Sequence, residues 1–174
     1  MSGTNGIIEP MVEPRLVTDV HKGLFVLQDI SKETVLYTIR AKELIDCEND
    51  YSIQYDEENM VPAEQFGDFK YINHGCEANV TLIYRESRDM SITPSPQTGI
   101  RYEIDFVASK NIKKDEQLFF NYLTTEYFMH NPFECWCGSH NCFKIIGGYV
   151  NIKEGPIESL ELAPHIQRMI KKMK

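Results

Sequence analysis

Apolar and polar positions alternate in short bursts along the first part of the chain, at 15–20, 24–27 and 34–39, with Gly23 and the charged stretch 29–33 between them. Period-two alternation interrupted by turn residues predicts β-hairpins. The pattern returns at 80–85 and at 101–108, where Tyr102, Ile104, Phe106 and Ala108 share one face and Arg101, Glu103 and Asp105 the other. Between these runs, 86–99 carries Pro94, Pro96 and Gly99 and predicts an exposed hairpin connection whose trimming costs mainly loop order. Residues 51–55 alternate like a strand after the polar 41–50, which reads as a short helix or loop. Residues 118–122 predict a buried strand ending in Tyr122, entered from a polar turn at 111–116, and 143–152 a strand or loop. Only 162–174 has helical spacing, with Pro164 in the first turn and Ile166, Met169, Ile170 and Met173 on one face. That stripe predicts docking on the domain, a partner interface being the alternative. The first fourteen residues, with Gly3, Gly6, Pro10 and Pro14, read as a flexible lead-in.

Composition adds limits. A chain of 174 residues with 42% hydrophobic content suits one domain with its own core. The start lacks a basic stretch leading into an apolar one, and no apolar run approaches the roughly 20 residues of a membrane span. These features predict an intracellular protein, cytoplasmic or nuclear, with no membrane partner. A net charge of -8 disfavours direct nucleic-acid binding and favours basic partners, lysine-rich peptides among them.

Three of the five cysteines, Cys135, Cys137 and Cys142, crowd one short segment. Tetrahedral zinc takes four thiolate or imidazole ligands, and this segment can supply three by curling round the ion, with Gly138 easing the turn. Cys76 is the expected fourth ligand, with His140 and His74 as alternatives, because a distant ligand would staple a tail to the body. A Cys135–Cys142 disulfide is the competing reading, disfavoured in a reducing compartment. Cys47 reads as a plain thiol. Upstream, 69–79 is too polar at its centre for a simple core strand, since Asn73, His74 and Asn79 need partners if buried.

Tyr71-Ile72-Asn73-His74-Gly75-Cys76-Glu77-Ala78-Asn79, then Asp115-Glu116-Gln117-Leu118-Phe119-Phe120-Asn121-Tyr122, then the cysteine cluster resemble, in order, the signatures of SET-domain lysine methyltransferases with their post-SET zinc segment. His21-Lys22-Gly23-Leu24-Phe25-Val26 is similar to the family's opening glycine-rich turn, although His21 stands where the family usually has another glycine. The resemblance implies small curved sheets around a threaded core in which the Tyr122 segment passes beneath the Asn73–His74 loop. It divides the chain into a SET domain at 15–130, a post-SET zinc segment at 131–152 and a helical tail at 153–174. It implies S-adenosylmethionine as methyl donor and structural zinc, with Lys22, Gly23, Leu24, Asn73, His74, Tyr122 and Trp136 around the donor. Trp136 would lie over the adenine or pack on the domain body. Tyr122 is the implied catalytic tyrosine facing a lysine amine. Tyr51, Tyr55 and Phe120 are candidates for the acceptor channel, and a phenylalanine at 120 implies multiple methylation. Gly75, Ala78 and Asn121 replace the family's commoner serine, proline and aspartate. The implied partner is a protein or peptide bearing a target lysine, a histone tail being the default.

Overall fold

The strongest alternation in the sequence builds the sheet at the centre of the fold. The computed structural model describes residues 11–46, 51–153 and 155–173. In it β7 (Val80–Ser87) and β8 (Arg101–Ala108) pair antiparallel, and β3 (Val35–Arg40) joins the other side of β8. Tyr102, Ile104, Phe106 and Ala108 all face the core, as their spacing predicts. Asp105 departs from the pattern. It is buried on the opposite face, held by Arg85 and by the Thr38 hydroxyl at 2.6 Å.

The remaining strands form two-stranded pieces. β1 (Val12–Leu16) pairs with β2 (Lys22–Val26), so the first strand begins three residues before the predicted start at 15, and residues 17–20 form the turn. Pro14 is accommodated because β1 is an edge strand that can forgo one donor. β4 (Ile53–Gln54) pairs with β5 (Met60–Val61), and residues 41–46 contain no helix. Cys47 lies outside the described residues. A broken 3-10 helix, Ala63–Tyr71, then leads to β6 (Asn73–His74).

The connection 86–99 is not a loose loop. Ile92 and Ser95 are buried, Thr93 N–H donates to the Ala41 carbonyl at 2.7 Å, and the Thr93 carbonyl accepts from the Tyr55 hydroxyl at 3.0 Å. One apolar side chain and one backbone acceptor needed by a core tyrosine pin it down.

β9 (Phe119–Phe120) pairs parallel with β6. Just before it, Leu118 N–H donates to the Leu24 carbonyl at 2.7 Å and Val26 N–H to the Glu116 carbonyl at 3.1 Å. On its other side the Asn79 amide donates to the Gln117 carbonyl and accepts from Phe119 N–H, both at 2.8 Å. The segment 116–120 thus runs between β2 and the 73–79 loop, bonded to both, which is the threaded arrangement of a mainly β fold with small sheets and short helices.

After β9 a 3-10 turn (Tyr122–Thr124) replaces the end of the predicted strand. β10 (Phe133–Glu134) and β11 (Ile145–Ile146) clasp the cysteine loop, and α1 (Pro164–Lys172) closes the chain with Pro164 at its first position. Its docking face differs from the predicted stripe. His165 and Ile166 are buried, whereas Met173 is exposed because the helix has ended. Arg168 grips Glu57 with Nε and Nη2, at 2.9 and 3.1 Å. No helix among the described residues is long and apolar enough to cross a membrane.

Candidate active site and metal centre

Four thiols converge where the chain after β10 folds back on the 73–79 loop. The ligand atoms of Cys76, Cys135, Cys137 and Cys142 lie within 4.8 Å of one another, with Cys76 Sγ 3.8 Å from Cys135 Sγ and 3.9 Å from Cys142 Sγ. Zinc–sulfur bonds of about 2.3 Å in a tetrahedron put sulfurs about 3.8 Å apart. The cluster therefore has the size and donor set of a zinc site, and the cysteines are not disulfide-bonded. Gly138 carries the loop through φ 72°, a conformation costly for a residue with a side chain. His140 is exposed beside Asn141 and stands outside the group. Burial pushes the Cys76 thiol far up and Cys135 to about 11, so thiolates at these two positions need a cation to be tenable, whereas the exposed Cys137 lies lower, at about 7.

His74 joins this centre to the next. Tyr122 N–H donates to His74 Nδ1 at 3.2 Å, which makes Nδ1 the acceptor and leaves Nε2 to donate toward Cys76 Sγ at 3.3 Å. Burial holds the imidazole neutral, with its pKa at about 4. Both ring nitrogens are thus engaged, and only the ring face and backbone of His74 remain for a ligand. Its ring centre stands 5.3 Å from that of Tyr122 and 5.8 Å from that of Phe133, which β10 delivers.

Tyr122 opens the 3-10 turn because Asn121 caps it, the Asn121 Oδ1 accepting from Leu123 N–H at 3.1 Å. An aspartate could fill the same cap. The Tyr122 hydroxyl donates to the Ile72 carbonyl at 3.0 Å, and its ring packs 4.7 Å from that of Phe120. Burial, then the nearby Glu126 charge, push its pKa well up, so the hydroxyl keeps its proton. From behind, α1 braces the turn. Ala163 N–H donates to the Thr124 carbonyl at 2.8 Å, and His165 Nε2 to that of Thr125 at 2.7 Å.

Two clefts lie on either side of the His74–Tyr122 pair, Tyr122 lining one and His74 the other. A narrow one of about 50 Å3 is lined by Tyr51, Phe69, Ile72, Phe120, Tyr122 and Glu126, among others. A roomier one of about 480 Å3 is lined by His74, Gly75, Phe119, Phe133 and Trp136 and by the acids Glu77 and Glu134. At Gly75 a Cβ would come within 2.9 Å of Phe119 Cβ, so this chain trades the serine for room beside a bulky neighbour.

The structure separates the predicted site residues. Tyr51, half exposed, and Phe120 line the narrow cleft with Tyr122. Tyr55 does not. It is 0% exposed, its hydroxyl spent on the Thr93 carbonyl and on Tyr102 N–H at 2.7 Å, which makes it a core residue. Trp136 does not pack on the domain body. It is 83% exposed on the rim of the wide cleft. Asn73 ties the opening strand to the site, its Nδ2 donating to the Lys22 carbonyl at 3.0 Å. Lys22 itself is exposed, with Nζ 5.0 Å from the centre of the Tyr71 ring. Leu24 is fully buried with its carbonyl taken by Leu118, so its side chain reaches no cleft. At Gly23 a Cβ would meet the end of the Gln117 side chain at 2.4 Å, so a larger residue here would have to push that flexible amide aside. Sequence reasoning missed Glu126, Phe133 and His165. For Glu126, its place four residues after Tyr122 in a turn was the available signal.

Comparison with known proteins agrees with this geometry. The family model for the SET domain matches residues 21–123. A methyltransferase of Aspergillus flavus, flvH, is 27% identical over 107 residues, covering 62% of this chain and 52% of that protein. A histone-lysine N-methyltransferase, H3 lysine-36 specific, of Mycosarcoma maydis is 27% identical over 141 residues, 72% of this chain but 13% of the relative. The chain therefore spans about half the length of the first relative and a small part of the second. The crystal structure of KRYPTONITE in complex with mCHG DNA and SAH shares the fold, with a TM-score of 0.55 at 19% identity over 71% of this chain and 26% of that one.

Proposed function

The chain belongs to the SET-domain family, and from that premise we propose that it is an S-adenosylmethionine-dependent methyltransferase acting on a lysine side-chain amine of a protein. The observation that carries the proposal is a narrow aromatic cleft lined by Tyr122 beside a nucleoside-sized one lined by His74, with the two side chains in contact. Two relatives named as methyltransferases support the activity, and the fold neighbour's complex with SAH supports the donor.

The wide cleft fits that donor on its own chemistry. Its volume lies in the range of small-molecule sites. The exposed indole of Trp136 offers a face for a purine, and Glu77 and Glu134 favour a cation. When bound, S-adenosylmethionine supplies an electrophilic methyl group on a positively charged sulfur. The four cysteines would hold zinc as a closed structural site, since an all-thiolate shell leaves no open position.

The acceptor must arrive as, or become, a neutral amine, whereas lysine with a pKa of about 10.4 is protonated at neutral pH. A dry aromatic channel lowers that pKa by desolvation, letting the proton leave to water. The Tyr122 hydroxyl, donating to the Ile72 carbonyl, keeps lone pairs with which to accept an amine N–H. Alignment and exclusion of water then supply most of the acceleration. Phe120, with no hydroxyl to bond the amine and more room beside it, fits repeated methylation. The variant F120Y should halt at an earlier methylation state, read by intact-mass analysis of the product.

The net charge of -8 favours a basic partner, and a histone tail is the first candidate, which puts the protein inside the cell. The test is mass spectrometry of histones and other basic proteins after incubation with isotope-labelled donor, beside calorimetric titration of the donor alone. Labelled lysines are expected. Donor binding without any transfer would leave a binding module, and no donor binding would overturn the proposal.

A further inference from the structure

We propose that Glu126 selects the acceptor, receiving the incoming side chain as an ammonium cation and rejecting neutral isosteres. This rests on the methyl-transfer reading and deepens it by naming the group that recognises the substrate's charge.

Glu126 is 6% exposed, yet it lines the narrow cleft together with Tyr122, Ser52 and Met129. Its Oε1 accepts from Gln54 N–H at 3.2 Å and from the Thr125 hydroxyl at 3.1 Å, so the carboxylate is fixed in place by the scaffold. The other walls are aromatic, from Tyr51, Phe66, Phe69 and Phe120. Aromatic faces attract a cation, and a carboxylate within the same wall does so more strongly. A slot of this width strips an ammonium of its water, and without a compensating charge it would turn the cation away. Lys70, which also lines the cleft, has its Nζ 5.2 Å from the centre of the ring of Tyr71, a residue outside the cleft lining.

A carboxylate stabilises the charged form of the amine and therefore opposes the loss of its proton. Glu126 thus serves capture, while the positive charge of the donor favours deprotonation once both are bound. Its contribution belongs to KM more than to kcat. A purely structural glutamate would move neither binding of a free cation nor this split.

The test uses the whole chain with labelled methionine methyl groups, since Met129 lines the same cleft. Titration with n-butylammonium should shift the Met129 methyl resonance, and its neutral isostere 1-butanol should do so far more weakly. The variant E126Q keeps an oxygen acceptor for Gln54 and Thr125, so it should fold, as its methionine spectrum will report. In E126Q, butylammonium binding should weaken about ten- to hundredfold, with a similar rise in KM for a methylated peptide and most of the loss on KM. Equal butylammonium binding by both proteins, or no preference over 1-butanol in the wild type, overturns the proposal. Absence of transfer by the wild type to every basic protein would overturn the methyl-transfer reading alone, because the butylammonium titration still decides the role of Glu126.

Discussion

The body of the domain and the cysteine segment are held together by different means. Among the described residues, the main core gathers twenty-two buried hydrophobic residues, from Leu24 to Phe120, while the second cluster has five, two of which are Cys135 and Cys142. Five residues cannot offset the cost of ordering a segment of this length, at about 1–2 kcal/mol per residue for the backbone alone. The first region is stabilised by burial and the second needs a metal. Since Phe133 and Trp136 belong to the second region and line the wide cleft, donor binding inherits that dependence.

Removing the metal should break the comparison open. Chelation, or Cys142→Ser, should unfold the segment around β10 and β11 and abolish donor binding, because structural zinc contributes on the order of 10 kcal/mol to such a segment. Hydrogen exchange is the measurement: fast exchange at 133–146 with β3, β7 and β8 still protected is expected, and simultaneous loss everywhere would show one cooperative unit.

Tyr122 stands at the junction of the two regions, and Tyr122→Phe separates chemistry from support. It loses one hydrogen bond, to the Ile72 carbonyl, so stability should fall by only about 1 kcal/mol. Methyl transfer should fall by about two orders of magnitude or more. Single-turnover rates and thermal unfolding of the same sample check both halves.

Acid should weaken the brace that α1 provides to the Tyr122 turn. His165 is fully buried, and burial lowers its pKa to about 4. A group depressed in this way is neutral in the fold and takes up a proton more readily when unfolded. Its contribution is therefore intact above an unfolded pKa of about 6.5 and is lost as pH falls toward 4. The loss is on the order of 2–3 kcal/mol. Comparing unfolding free energies of the wild type and His165→Gln across that window isolates this part, because metal release is common to both proteins. Parallel pH curves would contradict the assignment.

The smallest effect on stability is expected at Trp136. Being 83% exposed, it should tolerate Trp136→Ala with less than about 0.5 kcal/mol change. Donor affinity should nevertheless drop by about tenfold if a purine stacks there. Calorimetry and thermal unfolding together read the contrast.

Legibility followed the range of the physics. The alternation of β8 was readable because it is a local record of one buried face, and three of the sulfurs because Cys135, Cys137 and Cys142 crowd one short segment, whereas Cys76 stood beside His74 and His140 as one of three candidates for the fourth ligand. Tyr55 misled because an alternating tyrosine looks alike in a channel and in a core, and its hydroxyl partners lie at Thr93 and Tyr102. The 86–99 connection misled for the same reason, since its prolines mark a loop while the burial of Ile92 is a tertiary fact. His165 carried no sequence signal of its place and Glu126 only its spacing from Tyr122, because both positions depend on the turn at Tyr122 lying against α1 and against β4.

By itself the sequence determined the strands of strongest alternation, β2, β3, β7 and β8, the order of the motifs and three of the four donors of the metal centre, because periodicity and ligand chemistry act between near neighbours. Only the tertiary structure decided which tyrosine meets the cleft, how segment 116–120 passes between β2 and the 73–79 loop, and where the carboxylate of Glu126 comes to lie. Those outcomes depend on pairings between distant residues, and each residue type involved would serve equally well, locally, in several other places.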